Sequence, residues 1–341
     1  MRILLGMSGG LDSSFSALKL KEEGHSVEGA VLIMHDYTEL EPARLAAREL
    51  GIVLHEIDCR EKFDKKVVAD FMSCYSKGRT PNPCVVCNRE VKFSALREYA
   101  VAHGFDKVAT GHYAGIKKTE NGERSVIFRA LDERKDQSYM LWRLTPEIID
   151  MLIFPLSDLT KEMIRAEAGE RGLSAAEKKD SQEICFIPSD DYGAYIENRL
   201  GKFEEGDFVD SDGRILGRHK GIIHYTVGQR KGLGIALGAR AFITDIDPAT
   251  NKISLSFSPK ETDFFTVSDM VFSGISPMNV GEIRQLLVKV RYQAPPVLAT
   301  VKMISESRAE VKLLSPARSV TAGQSAVFYD GAVLAFGGFI D

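Results

Sequence analysis

Residues 2–15 read Arg2-Ile3-Leu4-Leu5-Gly6-Met7-Ser8-Gly9-Gly10-Leu11-Asp12-Ser13-Ser14-Phe15, and this stretch decides the fold. Arg2-Ile3-Leu4-Leu5 is a short apolar run of the kind that makes a buried parallel strand. Downstream, Phe15, Ala17, Leu18 and Leu20 recur on a polar background closed by Glu22-Glu23-Gly24, which predicts an amphipathic helix with a glycine C-cap. A strand, a glycine pair flanked by hydroxyl residues and a helix together build an anion site. Gly9 and Gly10 reach backbone angles closed to other residues, and the free N–H groups of the helix N-terminus point at the same place. Asp12 is out of place beside an anion unless it holds a cation or caps the helix. No Gly-Lys-Ser/Thr follows at the required spacing, so this is not a Walker A loop.

Outward from the loop, strand and helix signals alternate. Val27–Met34 is nearly all apolar and reads as a second buried strand. Pro42–Leu50 carries a helical pattern ended by Gly51, and Ile52-Val53-Leu54 begins a third strand. Phe63–Tyr75 and Phe93–His103 read as helices, and Lys107–His112 as a strand ending in Gly111-His112. The alternation predicts an α/β fold with a doubly wound parallel sheet, whose ligands sit beyond the carboxyl ends of the strands. The loop with Gly6 and Met7, the end of the second strand with Leu32, and Gly111-His112 all fall at that edge.

Helical pattern persists through Ser157–Gly172 and then fades. From Gly206 onward glycines and short alternating runs dominate, including Ala241–Ile246 and Lys252–Phe257. Further alternation over Gln285–Tyr292, Leu298–Ile304, Ala309–Leu314 and Ala326–Leu334 predicts a small C-terminal β-barrel. The expected division is residues 1–193, a small β-rich central domain over 194–262, and a barrel over 263–341.

At 341 residues the chain is long enough for two or three cores, and 44% hydrophobic with 27% charged residues is an ordinary globular balance. No apolar run is long enough to span a bilayer, so a cytoplasmic protein without membrane contact is expected. The net charge of −4 makes any basic surface local. One such stretch is Gly213–Arg240, where Arg214, Arg218, Lys220, Arg230, Lys231 and Arg240 meet no acidic residue. A charge run is commonly a solvated face, but Tyr225 and interleaved glycines suit a surface tracking phosphates.

Five cysteines argue against a disulfide framework in such a chain. Gly78-Arg79-Thr80-Pro81-Asn82-Pro83-Cys84-Val85-Val86-Cys87-Asn88 is a shaped loop feeding a helix, because two prolines exclude helix through Pro81–Pro83. Its Cys-x-x-Cys reads as a metal half-site, a redox pair or two buried thiols. Cys185 follows Lys178-Lys179, whose charges would stabilise a thiolate. Cys59 and Cys74 read as packing residues.

The string Ser-Gly-Gly-x-Asp-Ser-Ser resembles the pyrophosphate loop of the ATP pyrophosphatases, which cut ATP between the α and β phosphates and use the AMP half to activate a carbonyl oxygen. That resemblance implies a PP-loop domain of the adenine-nucleotide α-hydrolase type. Gly6, Met7, Ser8, Gly9, Gly10, Asp12, Ser13 and Ser14, with Leu32 and Gly111, would then bind ATP and Mg2+.

The resemblance narrows with Gly78–Pro83, Cys87-Asn88, Lys135-Asp136-Gln137-Ser138-Tyr139, Asp180-Ser181 with Ile184-Cys185-Phe186, His224–Gly234 and Gly323–Val327. Together these are similar to the tRNA-specific 2-thiouridylase family across the full chain. The family's activity would be adenylation of the C2 oxygen of a wobble uridine, followed by displacement of AMP by sulfur to give 2-thiouridine. By position Asp12, Cys87 and Cys185 are then catalytic, with Cys185 the persulfide carrier. His112, Lys135, Asp136, Gln137, Arg291, Tyr292 and Gln324 are carried over as contacts to the tRNA anticodon stem-loop. A sulfur donor is implied: a cysteine desulfurase, a relay protein or free sulfide.

Two departures stand out. The family's Asn-Pro-Asp-x-x-Cys holds Cys84 at the aspartate position, and the segment from Met34 to Pro42 is short and lacks an Asn-Trp-x-x-Asp stretch. Cys84, Cys87 and Cys185 could therefore ligate a [4Fe–4S] cluster with one open iron. A Cys87/Cys185 persulfide relay and a structural zinc remain the alternatives. Rival activities are 4-thiouridine formation on the same first domain and a tRNA-binding module without chemistry.

Overall fold

The first strand, β1 (Arg2–Gly6), sits in the middle of a parallel sheet whose residues face two separate cores. Ile3 and Leu5 point into one and Leu4 into the other, and all three are fully buried. That explains the unbroken apolar run, since a central parallel strand is covered on both faces. The computed structural model describes residues 1–119, 122–177, 184–188, 191–318 and 320–341.

Beside β1 lie β2 (Ser26–Ile33) and then β3 (Leu54–Asp58) on one side, with β4 (Lys107–Thr110) on the other. A hairpin of β5 (Ala114–Lys118) and β6 (Ser125–Arg129) follows, and β7 (Leu152–Ile153) completes the order β3-β2-β1-β4-β7. Chain order reverses between β1 and β4, so their carboxyl ends bound the crevice where such sheets take ligands. Helices α1 (Leu11–Glu22) and α2 (Glu41–Leu50) cover the Ile3/Leu5 face together with Lys161–Glu170. The opposite face is covered by Phe93–Ala102 and by a helical stretch over 60–76 interrupted by a π-turn at Asp64–Val68.

The central segment forms a four-stranded sheet of β8 (Gly206–Val209), β9 (Ile215–His219), β10 (Phe242–Asp247) and β11 (Lys252–Ser256). The last segment contains β12 (Glu261–Phe272), β13 (Ile283–Lys289), β14 (Val297–Ser305), β15 (Arg308–Arg318), β16 (Ser325–Asp330) and β17 (Val333–Ile340). Pairing of β12 with β17 closes these strands into a barrel around Val288, Val301, Val311, Phe328 and Phe336.

The architecture is the expected α/β sheet, β-rich middle and terminal barrel, with four local corrections. The third strand begins at Leu54, two residues late. The run Ala326–Leu334 is two strands, because Gly331 at φ 57° turns the chain back on itself. The helix expected from Ser157 starts at Lys161, where the Thr160 hydroxyl accepts from the Met163 N–H. Pro83 opens the cysteine-bearing helix Pro83–Cys87 instead of preceding it, since a first-turn proline lacks only an N–H that would be unpaired anyway. Long-range packing adds what the pattern could not show: the β5–β6 hairpin joins the barrel's sheet through Val333 opposite Phe128. Among the described residues no helix is long and apolar enough to cross a membrane.

Candidate active site

A cavity of about 470 Å³ opens between the loop after β1, the end of β2 and the end of β4. Gly6, Met7, Ser8, Asp12, Ser13, Leu32, Gly111, His112, Gln137 and Cys185 all contribute to its wall. Gly9 does not line it but makes it possible. Its φ is +72°, and a Cβ there would stand 2.2 Å from the carbonyl carbon of Pro42, at the start of α2. Gly111 has the same kind of reason: its Cβ would fall 2.8 Å from the Asp12 carbonyl carbon, so β4 ends flush against the first turn of α1. Gly10 occupies the N-cap, accepting the Ser14 N–H at 3.1 Å and the Ser13 hydroxyl at 3.1 Å. Ser14 is fully buried behind the loop and does not line the cavity, and its hydroxyl has no hydrogen-bond partner among the described residues.

Asp12 is already engaged. The ammonium of Lys161 donates to both of its oxygens at 2.7 and 2.9 Å, and the Tyr113 hydroxyl donates to Oδ1 at 2.8 Å. Lys161 is buried, and nothing in its local sequence marks it out; its only signal is the Thr160 cap that orients its helix. Asp12 thus has one charged and one neutral partner from within the chain and still lines the cavity.

Cys185 reaches the cavity because Phe186 is anchored behind it, edge-on to Phe63 and Phe71 with centroids 5.4 and 5.3 Å away. Lys178, Lys179, Asp180 and Ser181, part of the expected thiol environment and motif, lie outside the described residues. Cys87 is buried one layer back, its Sγ 3.6 Å from Sδ of Met34, which does line the cavity. Cys84 is exposed on the same short helix. Burial pushes the Cys87 thiol up to about 12 and raises Cys84 and Cys185 as well, even though those two keep surface open to solvent. Cys84 and Cys87, and Cys84 and Cys185, feel each other's charge, so the three thiols are neighbours.

The cation that opposes these upward shifts is Lys92, at the end of a π-turn (Asn88–Lys92) that continues the cysteine helix. Among the described residues no group of three or more His, Cys, Asp or Glu side chains is arranged to hold a metal ion. The fold adds no metal-ligand geometry to the [4Fe–4S] and zinc readings of Cys84, Cys87 and Cys185.

His112 lies between Phe93 and Phe154, its Nδ1 2.8 Å from the Thr110 hydroxyl. Burial, then the nearby Lys92 charge, hold it well below the ordinary histidine range, so it is neutral at pH 7. Gln137 lines the cavity while its Oε1 accepts the Tyr113 N–H at 3.0 Å.

Asp136, Arg291, Tyr292 and Gln324, also expected at the RNA, make bonds within the chain. Asp136 is buried, accepting from the Ala130 N–H, the Ser138 N–H and the Ser138 hydroxyl at 3.1, 3.3 and 2.8 Å. These bonds brace the Lys135–Gln137 turn from within. Arg291 donates to the Val227 carbonyl and the Thr321 hydroxyl, and the Tyr292 hydroxyl reaches the Lys135 carbonyl at 3.5 Å. Gln324 donates to the Thr80 and Pro81 carbonyls at 3.3 and 2.8 Å. These three clamp the barrel onto the first and central segments. The basic stretch of the central segment does face solvent: Arg214, Arg218, Lys220, Arg230, Lys231 and Arg240 are all exposed.

Comparison with known proteins covers the chain end to end. Family models match in three consecutive pieces: a tRNA methyl transferase HUP domain over 1–189, a tRNA methyl transferase PRC-barrel domain over 193–256, and an aminomethyltransferase beta-barrel domain over 262–340. Among curated relatives, the tRNA-specific 2-thiouridylase MnmA 1 of Clostridium tetani is 43% identical over 353 residues, covering 100% of this chain and 96% of that one. The tRNA-specific 2-thiouridylase MnmA of Acetivibrio thermocellus is 40% identical over 359 residues, covering 99% of each.

Proposed function

The chain belongs to the tRNA-specific 2-thiouridylase family, and we infer that its cavity is where ATP, a tRNA uridine and a cysteine-borne sulfur meet. The activity is that of an ATP-dependent tRNA uridine 2-sulfurtransferase; curated relatives of full length carry that name, and a 4-thiouridine product is not favoured. One observation carries the reading of the site: a single wall holds the anion loop, His112 and Cys185.

The first turn of α1 offers unpaired N–H groups to the β and γ phosphates. Asp12, with Glu39 across the cavity, is the carboxylate that would hold a magnesium ion together with the phosphates. Magnesium there would screen the phosphate charge. The uridine C2 oxygen bonds to the α phosphorus as the bond to the β phosphate breaks, and pyrophosphate leaves with the electron pair. The uracil C2 carbon, a poor electrophile before, now carries a good leaving group.

The sulfur then comes from a persulfide on Cys185. Its terminal sulfur bonds to C2 while the C2–O bond breaks and AMP departs with that oxygen. The Cys87 thiolate attacks Cys185 Sγ, the Sγ–S bond breaks toward the uracil sulfur, and 2-thiouridine is released. A Cys87–Cys185 disulfide is left for an external thiol to reduce. Two features support this relay: the thiols' mutual charge interaction, and burial that keeps Cys87 protonated until it is needed. The exposed basic face of the central segment supports a tRNA backbone lying across it.

The test is reconstitution with tRNA, ATP and a persulfide-level sulfur source (a cysteine desulfurase with cysteine, or polysulfide) under anaerobic conditions, with a thiol reductant to reopen the disulfide and the nucleosides read by mass spectrometry. We expect 2-thiouridine from iron-free protein and tRNA-dependent ATP–pyrophosphate exchange. Activity confined to iron-loaded protein would overturn the relay. 4-Thiouridine, or RNA binding without exchange, would overturn the function.

A further inference from the structure

Among the described residues, the wall of the cavity contains one lysine and no arginine: Lys92. Its position follows from the fold. The helix that begins at Pro83 does not run on as a regular α-helix but widens into a π-turn over Asn88–Lys92 before Phe93–Ala102 resumes. Such insertions are rare and concentrate at functional sites, because one extra residue re-aims the side chains that follow. Here the turn is held from both ends. Asn88 is buried with its amide donating to the Met140 carbonyl at 2.9 Å, and Val91 and Phe93 are fully buried. Lys92, between those two anchors, is left pointing into the cavity.

What the cavity must hold makes one cation conspicuous. The loop after β1 supplies N–H donors for the end of the triphosphate that leaves. Lys161 is spent on Asp12, and His112 is neutral. Among the described residues no carboxylate stands within ion-pair distance of Lys92. Its charge is felt at His112 and at Cys185, so it lies where the base and the sulfur have to arrive.

We propose that Lys92 holds the α-phosphoryl group, countering its charge first as pyrophosphate leaves and again as AMP departs. Resting on the adenylation reading above, this makes Lys92 a catalytic residue for both chemical steps. In the first, the uracil oxygen–phosphorus bond forms as the bond to the β phosphate breaks. In the second, the sulfur–C2 bond forms as the C2–O bond breaks and the electron pair goes to AMP. The α-phosphoryl oxygens stay in place through both, so one preorganised cation serves twice.

The experiment compares wild type, Lys92→Arg and Lys92→Gln in single-turnover assays with tRNA. It uses ATP and the two α-phosphorothioate diastereomers of ATP, with thermal unfolding as the fold control. Loss of one preorganised charge-stabilising donor typically costs about 10²–10³ in rate, and Lys92→Gln is expected to slow AMP formation by that much. Lys92→Arg should recover at least about a tenth of the wild-type rate, since it keeps the charge but not the shape. Wild type should favour one diastereomer, and Lys92→Gln should lose that preference. Wild-type rates in Lys92→Gln, or an unchanged diastereomer preference, would overturn the proposal. So would equal losses in both variants. A wild-type protein that forms no pyrophosphate with tRNA would instead remove the adenylation reading, whatever the variants do.

Discussion

The nucleotide end of the cavity and the joint beneath the barrel are built by opposite means. At the nucleotide end the geometry is local: a buried strand, a turn at Gly9-Gly10 and a helix place every backbone donor within a dozen residues. The joint is made of partners far apart in the chain. Gln324 and Gly323 lock the Gly78–Pro83 loop, with the Thr80 N–H donating to the Ala322 carbonyl at 2.9 Å. Tyr139 and Trp142 both bond to Ser325. The local end binds by backbone, and its motif survives reading in isolation. The joint positions the cysteine helix, and the residues that do so look from sequence like RNA contacts.

Substitutions test that contrast. The largest effect falls where the two ends meet. Cys185→Ala should abolish 2-thiouridine while tRNA-dependent pyrophosphate release continues, measured by nucleoside mass spectrometry and exchange of labelled pyrophosphate. Loss of both would mean that the thiol shapes the nucleotide end as well.

Next, Gly9→Ala forces a left-handed φ on a residue whose Cβ collides with backbone. It should lower stability by about 2 kcal/mol or more and remove the thermal shift caused by ATP. Asp136→Asn should cost about 1–3 kcal/mol of stability, since an amide can no longer accept all three bonds. The salt dependence of tRNA affinity should not change; a flatter slope would return Asp136 to the RNA surface.

His112 gives a pH effect. Because the folded state keeps it neutral well below 6.5, the unfolded chain takes up the proton first. Its contribution is therefore intact above about 6.5 and stability falls as the pH drops below that value, by on the order of 1 kcal/mol by pH 5.5. His112→Asn should flatten the pH dependence of the unfolding midpoint relative to wild type, leaving the smaller slopes of half-buried His35 and buried His219. Identical slopes would show that His112 is solvated. The smallest effect belongs to Gln324→Ala, about 0.5–1.5 kcal/mol for the bonds to Thr80 and Pro81. A tenfold weaker tRNA affinity with unchanged stability would make this glutamine an RNA contact after all.

The legible parts share one property. The strand–loop–helix start, the parallel sheet and the cavity edge at Leu32 and Gly111 follow from patterns within a few turns of chain. The Ala326–Leu334 run failed because one glycine converts continuous alternation into a hairpin. The β5–β6 hairpin's place in the barrel sheet was invisible because its partner strand lies two hundred residues on. At the site, Cys185 was found by motif, whereas Lys161 and Lys92 carried no motif at all.

By itself the sequence determined that a phosphate-binding loop follows a buried strand, and that thiols stand ready in a chain without a disulfide framework. Backbone donors and glycine angles are properties of adjacent residues, so no distant partner was needed to recognise them. Only the tertiary structure decided which charges meet. Lys161 pairs with Asp12, Lys92 faces Cys185 and His112, Asp136 braces its own turn and Gln324 holds the joint. Electrostatic roles depend on distance and burial, and those are set by the packing of segments that the chain's order keeps apart.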